Sequence, residues 1–199
     1  MTKEVKTLFV STTEPAVLVF STVTDGKSKF SDEPSYDVIV EFAPDSADLK
    51  NIRTQAAGLA SENWPGIDLK PLQKFWKAGK AKDGTPTGKI ICTARSDYQP
   101  TLSVLENGKL RELTSPVDLK QYRKWFFGGA EVLVGITLRP YEVKGDKGIS
   151  AKLGMVLSVK PSASGGGRDA AEVFKGYVGT VSTEDPGGFS ADLDDEIPF

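Results

Sequence analysis

The sequence predicts a mainly β chain, either α+β or an antiparallel β-barrel decorated with short helices, followed by an acidic tail. Three observations predict it. Short stretches of alternating apolar and polar residues recur between turn signals. The two longest of them are consecutive, over residues 130–160. Composition then changes abruptly at Pro161.

The body opens with strand signals. Ala16-Val17-Leu18-Val19-Phe20 is a short apolar run, and Asp25-Gly26 marks a turn. In 36–42, Tyr36, Val38, Val40 and Phe42 fall on one face, and Pro44 ends the pattern. A helix follows, capped by Asp45 or Ser46, with Leu49, Ile52, Ala56 and Leu59 at helical spacing; Trp64-Pro65-Gly66 stops it. Pro71 suits the first turn of a second, short helix with Leu72, Phe75 and Trp76 on its apolar side and Gly79 as terminator. On that helix Lys70, Lys74 and Lys77 share a side.

Residues 89–95 read as a strand. Lys89, Ile91, Thr93 and Arg95 face one way, and Ile90, Cys92 and Ala94 the other. Asn107-Gly108 is a hairpin turn between Leu102/Val104 and Leu110/Leu113. Ser115-Pro116-Val117-Asp118 starts a third helix, with Leu119, Tyr122 and Phe126 buried and Gly128-Gly129 closing it. In 130–141, Ala130, Val132, Val134, Ile136 and Leu138 form a core face. In 148–160 the same role falls to Ile149, Ala151, Leu153, Met155, Leu157 and Val159. A basic, Gly-rich loop, Lys144–Gly148, joins the two strands, which are therefore antiparallel. Residues 1–160 make one domain. Residues 161–199, beginning Pro161-Ser162-Ala163-Ser164-Gly165-Gly166-Gly167, make a flexible linker and a disordered acidic tail.

Composition narrows the function. The chain has 199 residues, one cysteine and no histidine. Histidine acid–base chemistry, His/Cys zinc sites and Cys–His nucleophiles are absent, and no intrachain disulfide can form. No phosphate-loop spacing occurs, and the acids of a disordered tail cannot hold a metal ion in fixed geometry. The inventory is not that of an enzyme, and no cofactor or metal is expected. No apolar run approaches the ~20 residues that span a bilayer, and the N-terminus has no apolar signal segment, so a cytoplasmic protein without a membrane partner is expected. Net charge is −2, but six acids and no base lie in residues 184–199, so residues 1–183 carry +4. A basic body with an acidic end points to a polyanionic partner and a competing tail.

The chain ends Asp192-Leu193-Asp194-Asp195-Glu196-Ile197-Pro198-Phe199. An Ile-Pro-Phe end arises by chance roughly once in 10⁴ at frequencies of about 5% per residue. A solvating tail has no reason to finish in apolar residues. This tip resembles that of bacterial single-stranded-DNA-binding proteins. The larger body and shorter tail look more like the bacteriophage proteins of that type, over about residues 80–160. The stretches that carry this are Lys82-Asp83-Gly84, residues 95–100, and Leu138-Arg139-Pro140-Tyr141 with Lys147-Gly148-Ile149. The resemblance implies an OB-fold barrel, binding of single-stranded DNA (ssDNA) without sequence preference, and docking of replication or recombination proteins on the tip. A phage-encoded protein would work in the cytoplasm of the bacterial host.

Such binding needs cations that track phosphates and flat side chains on which bases stack. The candidates are Lys70, Lys74, Lys77, Lys80, Lys82, Lys89, Arg95, Tyr98, Arg139 and Tyr141. Asp192, Asp194, Asp195, Glu196, Ile197, Pro198 and Phe199 are the candidates for protein interaction. Two other readings stand beside this one: a replisome or recombination adaptor with weak DNA binding, and a Mg²⁺-dependent nucleic-acid enzyme subunit.

Overall fold

Five strands close a barrel: β2 (Ala16–Ser21), β3 (Tyr36–Phe42), β6 (Pro86–Ser96), β10 (Asp146–Lys160) and β9 (Glu131–Val143), which returns to β2. The computed structural model describes residues 6–26, 33–81 and 83–163. The cyclic order β2–β3–β6–β10–β9 is that of an OB-type barrel. The expected mainly β barrel forms, and one of its five contacts is parallel. Four contacts are antiparallel, but β6 and β10 run parallel and meet at Arg95 and Lys152. Parallel neighbours need a long crossover, and residues 97–145 supply it.

Alternation along these strands fills the barrel. Val38, Val40 and Phe42 of β3, Cys92 and Ala94 of β6, and Val132, Val134, Ile136 and Leu138 of β9 are all buried. Each aliphatic side chain buried this way stabilises the fold by roughly 1.5–3 kcal/mol. In β10 the pattern changes phase. Ile149, Ala151 and Leu153 point inward, but a bulge between Leu153 and Met155 then turns Val156 and Ser158 inward and leaves Met155 exposed. Met155, Leu157 and Val159 therefore do not continue the core face. One extra residue in a strand exchanges its two faces.

Further strands widen the sheet. β1 (Leu8–Ser11) lies along β9, beyond the short β2–β9 contact. β7 (Thr101–Glu106) runs parallel to the second half of β10 and turns back as β8 (Lys109–Glu112). Its turn has positive φ at Asn107 (51°) and Gly108 (73°), the conformation that Asn-Gly favours. The supposed loop at residues 144–148 is only a two-residue turn: Val143 pairs with Asp146, with positive φ at Lys144 and Gly145.

The first helix forms as expected. α1 (Ala47–Asn63) is capped by Ser46 Oγ, which accepts from Leu49 N at 3.4 Å. Its Asp48 accepts from Thr13 N and Glu14 N, both at 2.8 Å, and so ties the helix to the β1–β2 connection. Leu49, Ile52, Ala56, Leu59 and Ala60 are buried. The second predicted helix does not form. Its residues make β4 (Gln73–Lys74), parallel to β10, and β5 (Trp76–Lys80), antiparallel to β6. The third is short: α2 (Pro116–Gln121), capped by Ser115, passes into a 3₁₀ turn over Arg123–Phe126. Tyr122 and Phe126 are buried, and Leu119 only partly.

Candidate nucleic-acid interface

The outward-facing side chains of the barrel line up by strand register. One line joins Asp37 of β3 to Arg95 of β6, Lys152 of β10, Thr137 of β9 and Phe9 of β1. Beside it, Phe20 pairs with Ile39, and Ile39 with Thr93. Neighbouring strands stand about 4.8 Å apart, so these residues form one surface rather than isolated points.

Arg95 is held firmly. Its Nε donates to Asp37 Oδ1 at 2.6 Å and its Nη2 to Asp37 Oδ2 at 3.4 Å. Ser35 Oγ also donates to Asp37 Oδ2, at 3.1 Å. The hydrogen bond from Arg95 to Asp37 raises the guanidinium above its ordinary pKa. The carboxylate is largely buried, while the Arg95 side chain is 58% exposed. A charge fixed from one side and open on the other suits phosphate contact, with part of its field cancelled by Asp37.

Tyr98 follows on the β6–β7 loop and is 73% exposed. Its backbone N donates to Ser96 Oγ, and Gln99 Nε2 donates to Val23 O at 2.7 Å, fixing the loop against the β2–β3 connection. Lys152 Nζ lies 5.6 Å from the centre of the Tyr98 ring. Arg95, Lys152 and Tyr98 thus converge: two cations and one open aromatic face. Phe9, at the far end of the line, is 53% exposed. Its ring lies beside Gly135, where an added Cβ would sit 3.0 Å from Phe9 Cζ and 2.5 Å from Met155 Cγ. Gly135 therefore lets an aromatic ring and a thioether lie flat on the strand.

The other sequence candidates scatter. Lys89, which the sequence places beside Arg95 on one basic face, is bonded to Glu41 at 2.7 Å. That face is therefore half acidic, because β3 supplies Asp37 and Glu41 opposite β6. Lys70, Lys74, Lys77 and Lys80 are exposed but share no helix side. Lys70 lies in a turn, its N bonded to Asp68 Oδ1. Lys74 lies in β4, its Nζ 5.7 Å from the Trp76 ring centre, and Lys77 and Lys80 lie in β5. Arg139 is exposed beside Ser150, on the same face as Thr137. Tyr141 is half-buried, its hydroxyl at 2.8 Å from Gln73 Oε1. Lys82 and the tail residues Asp192 to Phe199 lie outside the described residues. The candidates that sequence reading missed are Lys152, Phe9 and Phe20. Phe9 and Lys152 lie on the outward phase of their strands, and for Lys152 that phase was readable, though which strands stand beside it was not; Phe20 shares the phase of buried Ala16 and Leu18 and is turned outward by the irregularity between Leu18 and Phe20.

Among the described residues, no three His, Cys, Asp or Glu side chains group as metal ligands, and no helix is long and apolar enough to cross a membrane.

No protein-family model and no curated protein sequence matches the chain. Solved structures do. The single-stranded DNA-binding protein from bacteriophage Enc34, in its complex with ssDNA, is similar at 23% identity and a TM-score of 0.62, over 77% of this chain and 87% of that one. A structure of the Enc34 protein without that designation is similar at 20% identity and a TM-score of 0.59, over 83% and 89%. The bacteriophage T7 single-stranded DNA-binding protein gp2.5 is similar at 11% identity and a TM-score of 0.52, over 94% and 100%. The likeness is one of fold: the mainly β chain with a closed five-stranded barrel is shared with phage ssDNA-binding proteins.

Proposed function

We propose that this chain binds single-stranded DNA of any sequence through the outer face of its barrel, coating and protecting exposed strands in phage DNA replication, recombination and repair. It acts without catalysis. The observation that carries this reading is the convergence of Arg95, Lys152 and Tyr98 on one open surface. Cations there meet phosphates, and the exposed ring offers a stacking platform that any base can use. Arg139, Phe9 and Phe20 extend the surface. The fold shared with ssDNA-binding proteins of phages Enc34 and T7 supports the reading.

In the same proposal, residues 161–199 form an appendage to the domain of residues 1–160. The acidic tip ending Ile197-Pro198-Phe199 recruits replication or recombination proteins and competes with DNA for the basic body. A gel shift on polythymidine, with and without Mg²⁺, tests the central claim. Retarded, uncut oligonucleotide is the expected result, and cleavage would make the chain an enzyme subunit. One observation favours a second reading, an adaptor that binds DNA weakly: Asp37 and Glu41 neutralise two cations of the barrel face. Absence of a shift at low salt would select it.

A further inference from the structure

Asp37 stands in line with Arg95 and Lys152, a carboxylate on a face that is to meet phosphates. Its surroundings set it apart from a surface acid. Asp37, Thr22 and Ser35 are all buried. Asp37 N donates to Thr22 Oγ1 at 2.9 Å, and Thr22 N donates to Asp37 O at 3.0 Å. Thr22 Oγ1 in turn donates to Ser35 O at 2.9 Å, and Ser35 Oγ donates to Asp37 Oδ2 at 3.1 Å. The backbone and the carboxylate are thus fixed from beneath, independently of Arg95. Arg95 then lies side-on, with Nε on Oδ1 and Nη2 on Oδ2. Nη1 is left without a hydrogen bond among the described residues, on the edge turned away from the carboxylate. Arg95 and Lys152 are also register partners across β6 and β10, and two facing cations repel. Asp37, on the other side of Arg95, offsets that repulsion and keeps the guanidinium from swinging away from Lys152.

We propose, resting on the ssDNA-binding reading above, that Asp37 is a positioning residue for that binding: it strengthens the contact by presenting Arg95 to a phosphate, although it carries the phosphate's own sign of charge. Two effects oppose each other at this position. The field of the carboxylate repels phosphates, and salt screens it, over a length of about 10 Å at 0.1 M and less as salt rises. The orientation of Arg95 is set by hydrogen bonds in direct contact, which salt screens far less. An arginine that nothing holds must be ordered when it meets its phosphate, and the ordering of one such side chain is worth about two- to tenfold in affinity. Removing the carboxylate therefore gains attraction that fades with salt and loses orientation that does not. At high salt the loss is what remains.

The test titrates fluorescein-labelled polythymidine with the full chain at about 0.05 M and about 0.3 M salt and reads anisotropy. Asp37→Asn and Ser35→Ala are measured in the parent and again in an Arg95→Ala background. Asp37→Asn should bind about two- to tenfold more weakly than the parent at the higher salt. Ser35→Ala, which changes no charge and only loosens the carboxylate, should weaken binding in the same direction at both. In the Arg95→Ala background neither substitution should weaken binding further, because no guanidinium is left to hold. Binding by Asp37→Asn that equals or exceeds the parent's at the higher salt would overturn the role, and so would a loss of the same size without Arg95. If Asp37→Asn does not fold, Ser35→Ala decides, and parent-like binding by it overturns the role. A parent that itself fails to bind would sink the ssDNA-binding reading and this role with it, an outcome distinct from a parent that binds beside unweakened variants.

Discussion

Cys92 sits opposite Trp76 across β5 and β6, buried on the core side of the sheet. Burial pushes its thiol up to about 12, against a smaller opposing pull from Arg53. The thiolate is the reactive form, so a thiol reagent at pH 8 should modify the folded chain far more slowly than the unfolded one. Equal rates would mean that β5 does not stay on β6. Ser115 and Asp118 illustrate a different balance. Ser115 Oγ accepts from Asp118 N at 3.1 Å and donates to Asp118 Oδ2 at 2.8 Å, while Arg111 Nη2 reaches Asp118 Oδ1 at 2.6 Å. The Ser115 hydrogen bond first, then Arg111, lowers the carboxyl pKa below its ordinary value. A depressed carboxyl contributes stability above its unfolded pKa, near about 4, and loses it as pH falls through the lower folded value. Asp118→Asn should therefore melt below the parent at neutral pH and converge with it in acid. Ser115→Ala should cost about 1 kcal/mol as a lost cap. At the proposed interface, Tyr98→Ala should weaken ssDNA binding by about 1–3 kcal/mol, and Lys152→Ala should weaken it and flatten its salt dependence. Parent-like titrations for both would place the DNA elsewhere, with the β4–β5 lysines next in line.

At the level of elements, local chemistry explains what the sequence made legible. Ser46 with Leu49, Ile52, Ala56 and Leu59 specifies α1 without help from distant residues, and Asn107-Gly108 specifies its hairpin. Residues 71–79 fail because their spacing suits a helix while their partners demand strands. β10 offers Gly148 and Ile149 to β4, β6 offers Cys92 and Ile91 to β5, and pairing outweighs a weak local preference. The lysines grouped by helical spacing separate for the same reason. The bulge after Leu153 was equally hidden, since the apolar alternation continues through it on paper; Gly154 was the available signal. The candidate interface was half legible. Arg95 and Arg139 could be read as outward on their own strands and Tyr98 as a loop residue free to stack, but the Asp37–Arg95 pair and the nearness of Lys152 depend on cross-strand register. Gly148 shows how tight the added β4 contact is. A Cβ there would lie 2.5 Å from the Tyr141 hydroxyl and 2.8 Å from Gln73 O. Gly148→Ala should cost about 1–3 kcal/mol, as overpacking does, and expose the amides of β4 to hydrogen exchange. An unchanged melting temperature with protected amides would show that β4 yields without cost.

Across the whole molecule, charge is divided unevenly along the chain. Residues 1–183 carry +4, while residues 184–199 carry six acids and no base. Release of counterions from single strands makes log K fall with log salt by about 0.7 for each phosphate neutralised, so the proposed ssDNA binding should weaken steeply as salt rises. In the proposed competition the acidic segment is covalently joined to a body of opposite charge, and such a tether gives an effective concentration of millimolar order. Competition with DNA then needs no contact that excludes DNA sterically; occupying the field of the lysines and arginines is enough. Deleting Asp192–Phe199 removes four acids and changes the formal net charge from −2 to +2. The truncated chain should bind polythymidine more tightly than the full chain at low salt. The advantage should shrink by about 0.3 M, where screening shortens the reach of exposed charges to a few ångströms. A salt titration of both chains, followed by fluorescence anisotropy, measures the two slopes together, and the full chain should show the shallower one, since its own acids already replace some counterions on the body. Weaker binding by the truncated chain at every salt concentration would mean that the acidic segment supports DNA binding, and the competitive role would fall.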